Sequence, residues 1–137
     1  MQRTSIKITS DKLNLQECYR FVEDDSCGGI SAFIGTVRND TQGKEVTQLD
    51  FSTYKPMAIK EMQKIAELTL EKFDIYKIAV HHAEGVLKIG DIPVIITVSS
   101  FSCFVIKSTT SLTCWRFTCF PEIGEIVFPT LANRSFR

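Results

Sequence analysis

A chain of 137 residues with 44% hydrophobic and 23% charged side chains has the size and composition of one globular domain, not of a disordered segment. Sixteen basic residues offset sixteen acidic ones, so no overall field draws in nucleic acid or an anionic membrane, and any bound anion must be held by a local cluster. The absence of a long apolar run, of an apolar segment in MQRTSIKITSDK and of any CxxC pair among the odd set Cys18, Cys27, Cys103, Cys114 and Cys119 disfavours a membrane span, a signal peptide, a disulfide framework and a structural zinc site, and predicts a cytoplasmic protein.

Thr4–Thr9 alternates Ile6 and Ile8 with polar neighbours and reads as a short strand. Asn14, with Glu17 three residues on, is a helix cap ahead of Leu15, Cys18, Phe21 and Val22 at helical spacing, and Asp24-Asp25-Ser26 ends that helix. Gly28-Gly29 opens the β-rich run ISAFIGTV, where Gly35 marks a bulge or a close backbone approach. Residues 38–45, RNDTQGKE, read as a polar loop, and residues 46–54 as a strand with a polar side. Pro56 suits the first turn of a helix over MAIKEMQKIAELTLEKF, whose stripe of Ala58, Met62, Ile65, Ala66 and Phe73 is interrupted only by Thr69. Residues 75–82 and 92–100 are the next strands, joined by EGVLKIGD with turn residues Gly85, Gly90 and Asp91. The order β-α-β-β-α-β-β predicts an α+β single domain with a mixed or antiparallel sheet and two main helices.

The pattern fails after Ser100. Residues 101–137 carry six charges (Lys107, Arg116, Glu122, Glu125, Arg134, Arg137) but three of the five cysteines, six of the ten phenylalanines and the single Trp115. Neither alternation nor helical period runs through them, and Pro121 and Pro129 interrupt the second half of the segment.

The motifs reach further than the period. Residues 33–39, FIGTVRN, followed by QGKEVTQLDFSTYKPMAIKEM, resemble the large, catalytic subunit of molybdopterin synthase through Phe33, Gly35, Val37, Arg38, Gly43, Val46, Leu49, Tyr54, Pro56, Met57 and Ala58. HHAEGVLKIGDIPVIITVSS resembles that family's histidine-containing stretch and last core strand, with His82 at the family's histidine and Ala83 where it has an arginine. The resemblance covers roughly residues 3–100. It implies an α/β hammerhead fold and sulfur transfer, as part of molybdenum cofactor biosynthesis. The large subunit would form a homodimer within a heterotetramer, each copy accepting the thiocarboxylated tail of a small ubiquitin-like subunit. Cyclic pyranopterin monophosphate would receive two sulfurs and become molybdopterin. No cofactor and no metal are implied for this step, nor any nucleic acid or membrane partner.

Such chemistry brings an anionic thiocarboxylate beside a phosphate ester, and fixed cations must offset their repulsion. Arginine suits the phosphate because its planar fork donates two parallel hydrogen bonds. The resemblance therefore puts substrate binding on Thr36, Val37 and Arg38, with Lys44 and His82 as further candidates. Lys44 also reads as an exposed loop lysine, and one of His81 and His82, which alternate faces on a strand, as a hydrogen-bonded core histidine. Tyr54 and Phe51 read as core or dimer-interface residues. The catalytic residue stays unassigned. Where the family continues with a His-Arg pair, a lysine-bearing helix and a Trp-Lys-Lys-Glu segment, this chain has Phe101-Ser102-Cys103 and no Lys-Lys. Two readings of residues 101–137 stay open, a divergent tail of the same domain and the product of a frameshift after about codon 100. An alternative function is open with them: a catalytically impaired scaffold that binds the small subunit.

Overall fold

The computed structural model describes residues 2–41 and 44–102, the side chains of Thr41 and Lys44 excepted. Strand β1 (Thr4–Thr9) leads into helix α1 (Leu15–Val22). Asn14 caps α1 by accepting a hydrogen bond from the Gln16 N–H at 2.9 Å, which satisfies a donor that has no partner within the helix. Glu17 does not complete a capping box. Its carboxylate takes the Lys7 ammonium of β1 instead, at 2.9 Å.

Strand β2 (Gly29–Gly35) follows, then β3 (Asp40–Thr41), β4 (Lys44–Glu45) and β5 (Gln48–Phe51). Helix α2 (Lys55–Lys72) begins with Pro56 in its first turn, where a missing N–H costs nothing. Strands β6 (Lys77–Ala83), β7 (Gly85–Lys88) and β8 (Val94–Ser100) complete the described chain.

Four strands form the main sheet in the order β1-β6-β8-β2. β1 runs parallel to β6, and the other two pairings are antiparallel. The sheet is therefore mixed, and the α+β class with two helices agrees with the sequence expectation. Alternate residues of β6 and β8 face different helices. Ile78, Val80, Ile96 and Val98 pack with Met62 and Ala66 of α2, while Ala79 and Ile95 pack with Cys18 and Val22 of α1. Burial on both faces explains why IAVHHA and VIITVSS read as nearly continuous runs instead of alternating ones. Each buried Ile, Val or Met among them contributes roughly 1.5–3 kcal/mol of transfer free energy, which is what holds the helices to the sheet. Thr69, the interruption in the α2 stripe, turns its hydroxyl back to donate to the Ile65 carbonyl at 2.7 Å, so it is buried without an unmet hydrogen bond.

Three expectations need correction. The polar loop of residues 38–45 contains a short hairpin, with Asp40 opposite Glu45 and Thr41 opposite Lys44. The strand expected over residues 46–54 is confined to Gln48–Phe51, because Val46 continues the hairpin by giving its N–H to the Asn39 carbonyl at 2.8 Å and β7 offers partners only to Gln48–Phe51. The segment after Gly85 is not merely a connection. As β7 it pairs antiparallel with β5, Leu49 opposite Leu87. The two readings of the tail fall outside the described residues, except for Phe101, whose ring lies 5.1 Å from that of Tyr76, and Ser102.

Candidate functional site

Four of the motif residues, Phe33, Gly35, Val37 and Arg38, lie along β2 and its exit from the sheet. Gly35 is the last strand residue and stands opposite Val94 of β8. A Cβ at Gly35 would lie 2.7 Å from Val94 Cγ1, so the close approach expected there is real and only glycine meets it without displacement. Beyond Gly35 the chain enters a clasp formed by the turn between β7 and β8. The Val37 N–H donates to the Asp91 carbonyl at 2.9 Å, and the Gly90 N–H donates to the Val37 carbonyl at 2.8 Å. The Val37 side chain is 3% exposed, and Val46, held by Asn39, is equally enclosed.

With Val37 turned inward, its neighbours Thr36 and Arg38 are exposed. The Arg38 guanidinium makes no hydrogen bond or ion pair among the described residues. Two carboxylates, Asp40 and Glu45, stand opposite each other on the adjoining hairpin. They limit the positive field there, leaving directed hydrogen bonds from the guanidinium as the means of holding an anion. Lys44 lies on β4 of the same hairpin, opposite Thr41.

His82 belongs to the same end of the sheet. It stands opposite Val94 on one side of β8 while Gly35 stands opposite Val94 on the other, so the three form one row across the sheet. Two strand spacings separate His82 from Gly35 along that row, about 10 Å. The His82 ring meets Phe51 edge-on at 5.3 Å between centroids, and Nδ1 lies 2.6 Å from the Ala83 carbonyl. Burial holds its pKa below the ordinary 6.5, so the imidazole is neutral near pH 7.

His81, on the other face, is the core histidine that strand alternation calls for. It is 2% exposed, with Nε2 3.1 Å from the Ser5 hydroxyl and Nδ1 3.2 Å from Cys18 Sγ. Burial lowers its pKa and pushes the Cys18 thiol up to about 11. This cluster is enclosed between α1 and the sheet, away from Arg38. Of the two readings of Tyr54, the core is excluded, since it stands at the N-terminus of α2 at 69% exposure, whereas Phe51 is partly buried against His82.

Sequence reasoning missed two features. The clasp on Val37 was marked only by Gly90-Asp91, which has the composition of a plain turn. The pairing of Lys77 with Asp24 at 3.0 Å joins the end of α1 to β6 across 53 positions, and no local pattern announces it. Hydrogen bonds from Ser26 and Lys77 lower the Asp24 pKa to about 2. Among the described residues no three His, Cys, Asp or Glu side chains converge as metal ligands, and no helix is long and apolar enough to cross a membrane.

Comparison with known proteins adds what geometry alone does not. The family model described as MoaE protein matches residues 8–102. The chain belongs to the MoaE protein family. A molybdopterin synthase catalytic subunit from Dictyostelium discoideum is 42% identical over 100 residues, which cover 72% of this chain and 63% of that one. The chain spans between half and two thirds of the length of such curated relatives. In fold it is similar to the crystal structure of molybdopterin synthase from Staphylococcus aureus, with a TM-score of 0.74 at 23% identity, covering 100% of this chain and 93% of that one. A complex of subunits 1 and 2 of molybdopterin-converting factor from Helicobacter pylori is also similar, with a TM-score of 0.62 at 14% identity over 85% of this chain and 77% of that one. The family match ends at Ser102, beside the point where charge and period change in the sequence.

Proposed function

We propose that this MoaE-family chain is the catalytic subunit of a molybdopterin synthase, transferring sulfur from the C-terminal thiocarboxylate of a small ubiquitin-like subunit to cyclic pyranopterin monophosphate in the cytoplasm. Its partners are that small subunit and a second copy of the chain, in a heterotetramer. The observation that carries the reading is Arg38, an exposed guanidinium with no partner among the described residues, set on a strand exit that two backbone hydrogen bonds hold in place. Its fork fits a phosphate monoester in two parallel hydrogen bonds and offsets the charge of an approaching thiocarboxylate. Thr36, exposed one residue before Val37, adds a hydroxyl donor, and Val37 contributes its anchored backbone. His82, neutral and packed on Phe51, closes the apolar side of the same sheet end. Lys44 on the adjoining hairpin is the second cation of this reading. The names of the relatives and the two-subunit assembly of the Helicobacter pylori neighbour support it.

The rival reading, a scaffold that binds the small subunit without turnover, is favoured by Phe101-Ser102-Cys103, which stand where the family's His-Arg pair belongs. A single-turnover assay separates the two. The purified chain is mixed with thiocarboxylated small subunit and cyclic pyranopterin monophosphate, and dithiolene formation is followed. Product at a rate that falls on the order of 10²-fold in Arg38→Ala supports the enzyme, that being the usual scale for removing a charge-stabilising donor. Absence of product with small-subunit binding intact refutes it and leaves the scaffold.

A further inference from the structure

We infer that the turn of residues 88–91 is a positioning device for Arg38, with Gly90 and Asp91 as positioning residues. The inference rests on the reading of Arg38 as the anion-binding group. Four hydrogen bonds make the device. The Asp91 N–H donates to the Lys88 carbonyl at 3.0 Å and closes the turn. The Lys88 N–H donates to Asp91 Oδ2 at 2.8 Å and locks it from the side chain. Two residues of this turn then grip the strand exit, Gly90 through its N–H to the Val37 carbonyl and Asp91 through its carbonyl to the Val37 N–H.

Both backbone polar groups of Val37 are therefore held by one rigid turn, and the next residue in the chain is Arg38. Its side chain has no partner among the described residues, so the held backbone is what fixes the point and Cα–Cβ direction from which the guanidinium reaches for a ligand. Gly90 is what allows the grip. Its φ of +86° is the left-handed region that other residues enter at a cost, and it aims the Gly90 N–H at Val37. The anion-binding residue thus stands just beyond β2 but is held in place by the β7–β8 turn, more than 50 residues further along the chain.

Gly90→Ala isolates this effect, because a Cβ there meets nothing within 4 Å and the substitution acts through backbone conformation alone. Asp91→Ala perturbs the same device independently by removing the acceptor of the Lys88 N–H, and serves if Gly90→Ala fails to fold. The experiment titrates cyclic pyranopterin monophosphate into the full chain by calorimetry, for the parent, Arg38→Ala, each turn variant and each combined with Arg38→Ala. Single-turnover rates with the small subunit are measured on the same set. Melting curves confirm that each variant is folded.

Each turn variant is expected to weaken binding and to slow turnover by roughly 10- to 100-fold, the scale on which a displacement near 1 Å of a positioning group acts. Neither should weaken binding further once Arg38 is alanine, because positioning acts only through the group positioned. Gly90→Asn, which tolerates positive φ, and Asp91→Asn, which keeps an oxygen for the Lys88 N–H, are expected to restore most of the loss. If Arg38→Ala binds as tightly as the parent, the anion-site reading falls and the inference with it. If Arg38→Ala is impaired while the turn variants are neutral, or impaired equally with and without Arg38, the positioning inference alone is overturned.

Discussion

Replacing Gly35 by alanine places one methyl group against the valine that faces it, and its consequence can be worked out from the geometry. Gly35 has no positive φ, so the backbone itself accepts alanine, and the perturbation is steric. The new Cβ would lie 2.7 Å from Val94 Cγ1, about 1 Å inside ordinary carbon–carbon contact. Val94 is β-branched and has few rotamers to retreat into, and forcing it off one costs about 0.5–1.5 kcal/mol. Moving β2 from β8 instead is an overpacking response of about 1–3 kcal/mol. Against this, alanine in a strand recovers about 0.5–1 kcal/mol of backbone entropy relative to glycine. The net expectation is a destabilisation of about 1 kcal/mol, or roughly 4 °C in melting temperature for a domain of this size. Urea denaturation followed by circular dichroism, on the parent, Gly35→Ala, Val94→Ala and the double variant, tests it. In the Val94→Ala background the obstructing methyl is gone, so Gly35→Ala should become neutral or stabilising. Equal destabilisation in both backgrounds, or a Gly35→Ala protein more stable than the parent, would refute the steric account.

The remaining predictions concern titration, reactivity and capping. His81 and His82 both have folded-state pKa values lowered from 6.5 by burial, so only the unfolded chain takes up protons readily just below that pH. Stability is then complete above pH 6.5 and falls as the pH drops below it, a slope that a His81→Gln/His82→Gln protein should lack; an unchanged slope in urea midpoints between pH 7.5 and 5.5, a window set by the ordinary histidine pKa, counts against it. Glu17 and Lys7 act on His81 in opposite directions, so neither reverses the effect of burial. Cys18, fully buried with its thiol pushed up to about 11, should resist iodoacetamide in the folded protein and react after unfolding in urea. Peptide mass spectrometry reads this directly, and rapid labelling of Cys18 in the folded state would contradict the structure. Asn14→Ala removes the acceptor of the Gln16 N–H and should cost about 1 kcal/mol, while Asn14→Asp retains it; an unchanged urea midpoint for Asn14→Ala would show the cap to be idle.

The helices and central strands were legible because their residues interact at short range or carry a strong period. Asn14 stands beside the N–H it caps, the α2 stripe recurs at helical spacing, and residues 77–83 and 94–100 form apolar runs that only burial on two faces explains. The expected close approach at Gly35 was visible as a glycine inside a β-rich run, although its partner Val94 was not. Strand β7 escaped because four residues, two of them exposed, show no pattern of their own; β5 supplies the partner that makes them a strand. For Tyr54 the choice between core and surface was not legible, because an aromatic between a strand and a helix suits a core as well as an exposed helix start. At the site, Thr36, Val37 and Arg38 were marked by motif, and the inward turn of Val37 between two exposed neighbours follows from strand alternation. The grip of residues 90 and 91 on Val37 was not legible, since backbone hydrogen bonds between distant segments leave no trace in side-chain identity.

The strand order has a consequence for how the chain assembles during synthesis. The two inner strands of the main sheet, β6 and β8, are the last two of its four to be made, while the outer strands β1 and β2 are the first. When α2 has been completed, β1 and β2 have nothing between them to pair with, and Thr4 must wait for Ile78 before its parallel partner exists. Closing such distant pairs carries a loop-entropy cost before any packing rewards it, so the sheet forms late and nearly all at once. An interruption of translation before Val94 therefore strands β2 without its neighbour, whereas every pairing of this sheet is in hand once Ser100 has been added.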